Sequence, residues 1–277
     1  MFDQTNFFNA ILIIPILNAL IALYKFLLVV GIPGALGFAL ILLTVLIRLI
    51  LNPLTAQQLK SAKKLAKLKP ELDKLNAQYK NDKQRLHQEQ LNLYKQAGIN
   101  PAAGCLPLLV QMPVLIALYN LFFQLLNNGN LEAVVTAINK VVYFPFLMIT
   151  SLDLSFFGLN LAAKPSEWQK FGFGLLLVPV ITAALQYWQT KMMTPKNTSL
   201  ASEASSLAPA RSVSTGQAPA KEEKKEEDIS TAMQKQMAIM MPLMIGFFAY
   251  SFPLGLSLYW NTFTVFGIIQ QRQINRE

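Results

Sequence analysis

Five apolar windows, at 34–51, 105–126, 171–190, 236–252 and 255–271, constrain this chain more than any other feature, and none of them contains an Asp or a Glu. A helix needs roughly 20 mainly apolar residues to cross a hydrocarbon core of about 30 Å, and each window approaches that length. Backbone groups cannot stay unpaired in lipid, and the short alternating segments of a membrane barrel are missing, so the windows predict a bundle of spanning helices. Composition agrees: 53% of residues are hydrophobic, 14% are charged, and the mean hydropathy is +0.37.

Lysine and arginine are enriched in cytoplasmic loops, so their placement gives the topology. Segment 53–103 holds Lys60, Lys63, Lys64, Lys67, Lys69, Lys74, Lys80, Lys83, Arg85 and Lys95, whereas 127–170 holds only Lys140, Lys164 and Lys170. The first is expected inside and the second outside, which puts the N-terminus outside and the C-terminus in the cytoplasm. The expected fold is an all-α polytopic membrane protein with five transmembrane helices at 34–52, 104–126, 171–191, 236–252 and 255–272. Residues 1–33 are expected to form an N-terminal interfacial amphipathic helix with Asn18 and Lys25 on one face; a sixth span and an uncleaved signal are the alternatives. Segment 53–103 predicts a cytoplasmic coiled-coil hairpin, with Leu65, Leu68, Leu72, Leu75 and Tyr79 at three-four spacing, a kink at Pro70, a turn at Asn81-Asp82 and a stop at Gly98. Segment 127–170 reads as an outer loop with surface helices, 192–235 as a flexible cytoplasmic linker rich in Ser, Ala and Pro, and 273–277 as a short tail.

The polar residues inside the apolar windows carry the functional signal. Arg48 lies within Leu40–Leu51, where burying a guanidinium costs about 2.5–3.5 kcal/mol on insertion scales. It is four residues from Asn52-Pro53, so it either snorkels to the cytoplasmic interface or sits in a water-filled cavity. Thr44 shares its face. Two other windows carry polar stripes at helical spacing, Thr182, Gln186 and Gln189 in one and Ser257, Asn261 and Thr264 in the other. Taken singly such residues serve ordinary interhelical hydrogen bonding, whereas together with an arginine they favour a polar groove. The lack of an intramembrane carboxylate argues against cation-coupled transport and aspartyl proteolysis. A lone His87, a lone Cys105 and no phosphate-binding loop leave no expected cofactor, metal or enzymatic activity. An insertase groove and an anion or small-solute pore using Arg48 as counter-charge both remain open on these residues.

A set of ordered segments narrows the choice. Thr44-Val-Leu-Ile-Arg48, Asn52-Pro53-Leu54-Thr55, Leu93-Tyr94-Lys95, Asn100-Pro101, Gly104-Cys105-Leu106-Pro107, Gln111-Met112-Pro113 and Ala117-Leu118-Tyr119 resemble the first half of the YidC/Oxa/Albino membrane protein insertase core. Phe252-Pro253-Leu254-Gly255-Leu256-Ser257-Leu258-Tyr259-Trp260 is similar to its last outer turn and following helix. The resemblance implies a non-enzymatic insertase of the bacterial plasma membrane that takes nascent membrane proteins as substrates and works against membrane lipid. The ribosome and the Sec translocon are its candidate partners, and no sequence-specific nucleic acid is expected. It also implies a hydrophilic groove around Arg48 and Thr44, open to cytoplasm and lipid, with Gln111 and the two polar stripes as further candidates. Phe248, Tyr259 and Trp260 would border the substrate helix.

Overall fold

The computed structural model describes residues 7, 9–98, 106–127, 131–193 and 229–276. A π-helical turn, Asn9–Ile13, leads into α1 (Ile14–Val30), which ends at Gly31. Gly31 and Gly34 both take left-handed backbone angles, φ 79° and 72°, which cost other residues a Cβ clash. The resulting reversal folds α2 (Ala35–Ile50) back against α1. After α2 the chain bends by 64° into α3 (Asn52–Lys67). Pro53 supplies the cause, because it lacks an N–H and disfavours helix in the residue before it.

Helix α3 stops at Lys67, just ahead of Pro70, and α4 (Lys69–Gln78) follows after Leu68. A turn leads to α5 (Lys83–Gln96), capped by Asp82, whose carboxylate accepts from the Arg85 N–H at 3.0 Å. Gln90 Nε2 donates to Asn76 Oδ1 at 3.0 Å, tying α5 to α4. Helix α6 (Leu106–Asn127) contains Pro113, and α7 (Leu131–Asn139) follows. Beyond come α8 (Trp168–Phe171), α9 (Leu177–Met193), α10 (Ile229–Ser251) and α11 (Leu254–Arg276). Among the described residues, Asn9–Val30 and Phe173–Met192 are each long and apolar enough to cross a membrane, and the bent α2–α3 pair passes the same test as one run.

Three expectations need correcting. The segment expected outside, 127–170, carries a small sheet as well as helices among its described residues: β1 (Ser155–Phe156) pairs antiparallel with β2 (Leu159–Asn160). Phe157 and Gly158 turn the chain with φ 49° and 79°, the double left-handed geometry that matches strand twist in a two-residue hairpin. Helix α10 starts at Ile229, inside the stretch expected to be linker, because Ala232, Met233, Gln234 and Lys235 are good helix formers. Helix α11 likewise continues through the expected tail to Arg276, and Lys63 Nζ bonds the Ile274 carbonyl at 3.0 Å, satisfying one of the free acceptors at that end. The rest of the expected linker, 194–228, lies outside the described residues.

The apolar core gathers at one end of the bundle. Leu20, Ile21 and Tyr24 of α1, Leu36, Leu40 and Leu43 of α2, Leu118 and Phe122 of α6, Val134 and Ile138 of α7, and Leu256 and Tyr259 of α11 form one cluster. Backbone bonds from the outer segment close this end, because Leu254 N–H donates to Ala163 O (2.9 Å) and Gly255 N–H to Leu161 O (2.8 Å). The polar side chains of α1 are used here too. Asn18 Nδ2 donates to the Val141 carbonyl at 3.0 Å, its Oδ1 accepts from Tyr143 N–H at 2.7 Å, and Lys25 Nζ donates to the Phe146 and Met148 carbonyls.

Close approach of α11 to α6 depends on Gly255, where a Cβ would overlap the fully buried ring of Phe122. Gly255→Ala should therefore lower stability by about 1–3 kcal/mol, the usual cost of overpacking a dense core. Thermal unfolding in detergent checks it, and Gly255→Ala with Phe122→Leu should recover most of the loss.

Candidate functional site

Helices α2 and α11 run side by side in the same direction, so that Arg48 meets Phe263, Asn52 meets Gln270, and Lys63 of α3 meets Ile274. On α2 the apolar cluster is followed by Thr44 and Arg48, whereas on α11 the polar stripe begins at Ser257, beside the cluster residues Leu256 and Tyr259, and runs on to Gln271. These polar runs place the site.

Arg48 is 6% exposed. Its Nη2 donates to the Phe263 carbonyl at 2.8 Å, and its guanidinium carbon lies 3.5 Å from the centroid of the Phe263 ring and 5.9 Å from that of Phe266. Arg48 Nε is buried without a hydrogen-bond partner, and no described carboxylate forms an ion pair with the residue. Gly267 makes this approach feasible, since a Cβ there would stand 3.0 Å from Arg48 Nη2 and would overlap the carboxamide of Gln189. A side chain on α2, one on α9 and the bare backbone of α11 thus meet at one notch.

The α11 stripe points along the same face. Ser257 Oγ, Asn261 Oδ1 and Thr264 Oγ1 are all buried and without partners. An unpartnered buried polar atom costs about 1–3 kcal/mol, so these three oxygens are places on α11 where a hydrogen-bond donor would be stabilising. Gln186 Oε1 accepts from Trp260 Nε1 at 3.3 Å, linking α9 to α11 one turn from the notch. Thr44 and Thr182 are buried and donate to carbonyls of their own helices, Leu40 at 2.6 Å and Val178 at 2.8 Å.

Not every expected residue belongs to this surface. Tyr259 is 1% exposed and packed in the apolar cluster, so its ring offers no face to a passing helix. Phe248 is exposed on α10 and stacks on Phe252 with centroids 5.7 Å apart. Gln111 lies in α6, and its side chain falls outside the described residues. Other residues join that the sequence reading missed. Gln270 Nε2 donates to Asn52 Oδ1 (2.5 Å) and Thr55 Oγ1 (2.7 Å), bracing the α2–α3 bend from α11. Gln58 is buried with both carboxamide atoms unpartnered, as are the amide oxygens of Gln270 and Gln271. Gly267 and Gln271 continue the Ser257-Asn261-Thr264 spacing, so they were findable, whereas nothing near Gln58 distinguishes it.

Comparison with known proteins settles the family. The profile of the 60Kd inner membrane protein family matches residues 27–277. The chain belongs to this family, that of the YidC, Oxa and Albino insertases. It is similar to the membrane protein insertase YidC of Fusobacterium nucleatum, 31% identical over 238 residues that make up 86% of this chain and 85% of the relative. It resembles the YidC of Oceanobacillus iheyensis at 29% over 247 residues, 87% of this chain and 74% of the relative. The chloroplast inner membrane protein ALBINO3 of Arabidopsis thaliana is 32% identical over 251 residues, 87% of this chain and 47% of its own length. The family match covers α2 through α11, and so includes Arg48, the α9 stripe and the α11 stripe.

The Gln270 brace gives a prediction about this YidC-type core. Gln270→Leu and Asn52→Ala should each cost about 1–2 kcal/mol, and the double variant should cost less than their sum, because the second change removes a bond already lost. A double-mutant cycle of thermal unfolding in detergent measures the coupling; additive losses would mean that the brace carries no energy.

Proposed function

We propose that this chain inserts nascent membrane proteins from the cytoplasm into the lipid bilayer, through a hydrated groove formed by α2, α9 and α11 around Arg48. One observation carries the reading: a buried guanidinium whose hydrogen bond goes to a helix carbonyl, with no carboxylate among the described residues to neutralise it. A buried cation of that kind is costly in a sealed apolar bundle. It becomes tolerable when water reaches it, and the row of unpartnered oxygens on α11 gives that water a lining.

In this reading α2, α6, α9, α10 and α11 are the five spans, with the N-terminus outside and the C-terminus in the cytoplasm of a bacterial cell. Helix α1 lies along the outer interface, since Asn18, Tyr24 and Lys25 all bond the backbone between Val141 and Asp153. The apolar cluster then closes the outer end, and the polar end opens to the cytoplasm. A groove wet in one leaflet shortens the apolar distance that a substrate's polar outer segment must cross. Arg48 holds acidic groups of that segment for a time. Burial of the substrate's apolar helix in lipid, worth about 25 cal/mol per Å², drives release. Exposed Phe248 and half-buried Trp260 offer the substrate helix an aromatic border. The basic α3–α5 region and the 191–235 segment are the surfaces that fit the ribosome, and the Sec translocon is the partner expected beside the lipid-open side.

Complementation of a host depleted of its own insertase tests the proposal. Arg48→Ala should lower insertion of a reporter with an acidic outer segment about tenfold, on the scale of one lost charge-assisted hydrogen bond. Arg48→Lys should keep part of the activity, and a reporter with a neutral outer segment should be affected less. Equal loss with both reporters would remove the charge-based role of Arg48.

A further inference from the structure

The hairpin β1–β2 is fixed to the helix that carries Arg48. Phe156 lies across Gly34 and Gly37, and a Cβ at Gly37 would fall inside its ring, so this surface of α2 is bare for the phenyl group to occupy. Phe38 stands edge-on to Phe156, with centroids 5.3 Å apart, and 6.0 Å from Phe157. Phe156 thus serves as a wedge, and the hairpin has no freedom to slide along α2.

Phe157 at the tip is different. It is 81% exposed, and it adopts φ 49°, a backbone angle that suits Asn or Gly and is unfavourable for a bulky residue. Neither hydration nor turn chemistry explains a phenylalanine there. Its ring instead meets that of Phe156 with centroids 4.7 Å apart, and other apolar side chains of the neighbouring segments are exposed as well. Phe26, Val29 and Val30 end α1, while Phe146 and Met148 are held beside it through their carbonyl bonds to Lys25. Further along α2, Leu42 and Leu46 are also exposed.

We infer that the Phe157 hairpin tip is a lipid anchor, seated at the boundary between headgroups and acyl chains of the outer leaflet, and that it sets the depth of α2 in the bilayer. Aromatic rings at that boundary are favourable because they bury an apolar body there. The depth follows from helix geometry. Arg48 lies eleven residues beyond Gly37, about 16 Å at 1.5 Å per residue, which is halfway through a hydrocarbon core of about 30 Å. The anchor thus holds the guanidinium at mid-membrane against its tendency to drift toward the cytoplasmic interface. This inference rests on α2 being a span, as proposed above.

The test uses the full chain with Cys105→Ala, a single cysteine carrying an environment-sensitive fluorophore, and vesicles of phosphatidylethanolamine and phosphatidylglycerol containing a doxyl-labelled phosphatidylcholine. Probes at Phe157→Cys and, with Phe157 retained, at Leu159→Cys should be shielded from aqueous iodide. The lipid quencher should act on them at least about twofold more than on a probe at exposed Ser151→Cys. Adding Phe157→Asn, which keeps the turn, should abolish lipid quenching at position 159. A probe at Leu42→Cys reports on the span itself. Quenching at 42 with none at 157 and 159 would overturn the anchor and leave the span standing, whereas no quenching at 42 would remove the span. Iodide shielding at 157 without lipid quenching would point to a protein occupant and would equally overturn the anchor, as would an unchanged signal at 159 in the Phe157→Asn variant.

Discussion

A guanidinium taken out of water needs partners for its donors and an offset for its charge, and the arrangement of α2, α9 and α11 follows from how Arg48 meets that need. The backbone of α11 supplies a carbonyl, Phe263 supplies the face of its ring, and Gly267 supplies the space for both. Attraction of a cation to an aromatic face contributes about 0.5–2 kcal/mol, depending on desolvation, and a hydrogen bond from a charged donor about 1.5–3 kcal/mol. Together these offset much of the insertion cost of an arginine at the helix centre, and in the proposed reading water in the groove lowers the remainder. The balance is close enough that Arg48 is held without being locked, and a larger residue at 267 would remove the contact that keeps it so.

The division of the bundle into an apolar end and a polar end gives that balance its meaning. At the apolar end the helices are fixed by dense packing: Phe122 fills the space left by Gly255, Phe156 fills that left by Gly37, and carbonyls from the outer segment satisfy the first N–H groups of α11. At the polar end the same helices are joined by few and replaceable bonds, Trp260 to Gln186 and Gln270 to Asn52 and Thr55. Packed interiors resist deformation, whereas sparse polar contacts open at little cost. In the proposed mechanism the densely packed end would stay fixed and the polar end would open.

Much of this was legible in the sequence, for reasons that differ by residue. The apolar windows, the stop at Gly98 and the break near Pro70 rest on local chemistry, which a sequence displays directly. Arg48 was visible because a charge in an apolar run has few explanations. Its partner was not: Phe263 is one phenylalanine among eighteen, and only the parallel course of α2 and α11 brings it to the guanidinium. Tyr259 was misjudged for the related reason that an aromatic residue reads the same whether it faces core or lipid. The hairpin at 155–160 escaped because two strands of two residues each carry no period, and its turn places Phe where Asn is usual.

The Phe263 carbonyl bears on how transient a substrate's hold on Arg48 can be. As an acceptor inside α11 it keeps its own helical hydrogen bond, so losing the arginine does not orphan it. In the proposed mechanism a substrate carboxylate exchanges with this carbonyl, and the gain is the difference between two partners of one guanidinium and not the full strength of an ion pair. Had Arg48 been neutralised by a resident Asp or Glu, exchange would strand a buried carboxylate at a cost of about 3–5 kcal/mol, and the site would be closed to acidic cargo. Had it no partner at all, an arriving carboxylate would be bound too tightly to leave. In the proposed mechanism a neutral carbonyl with its own helical bond lies between these limits, which favours exchange over permanent binding.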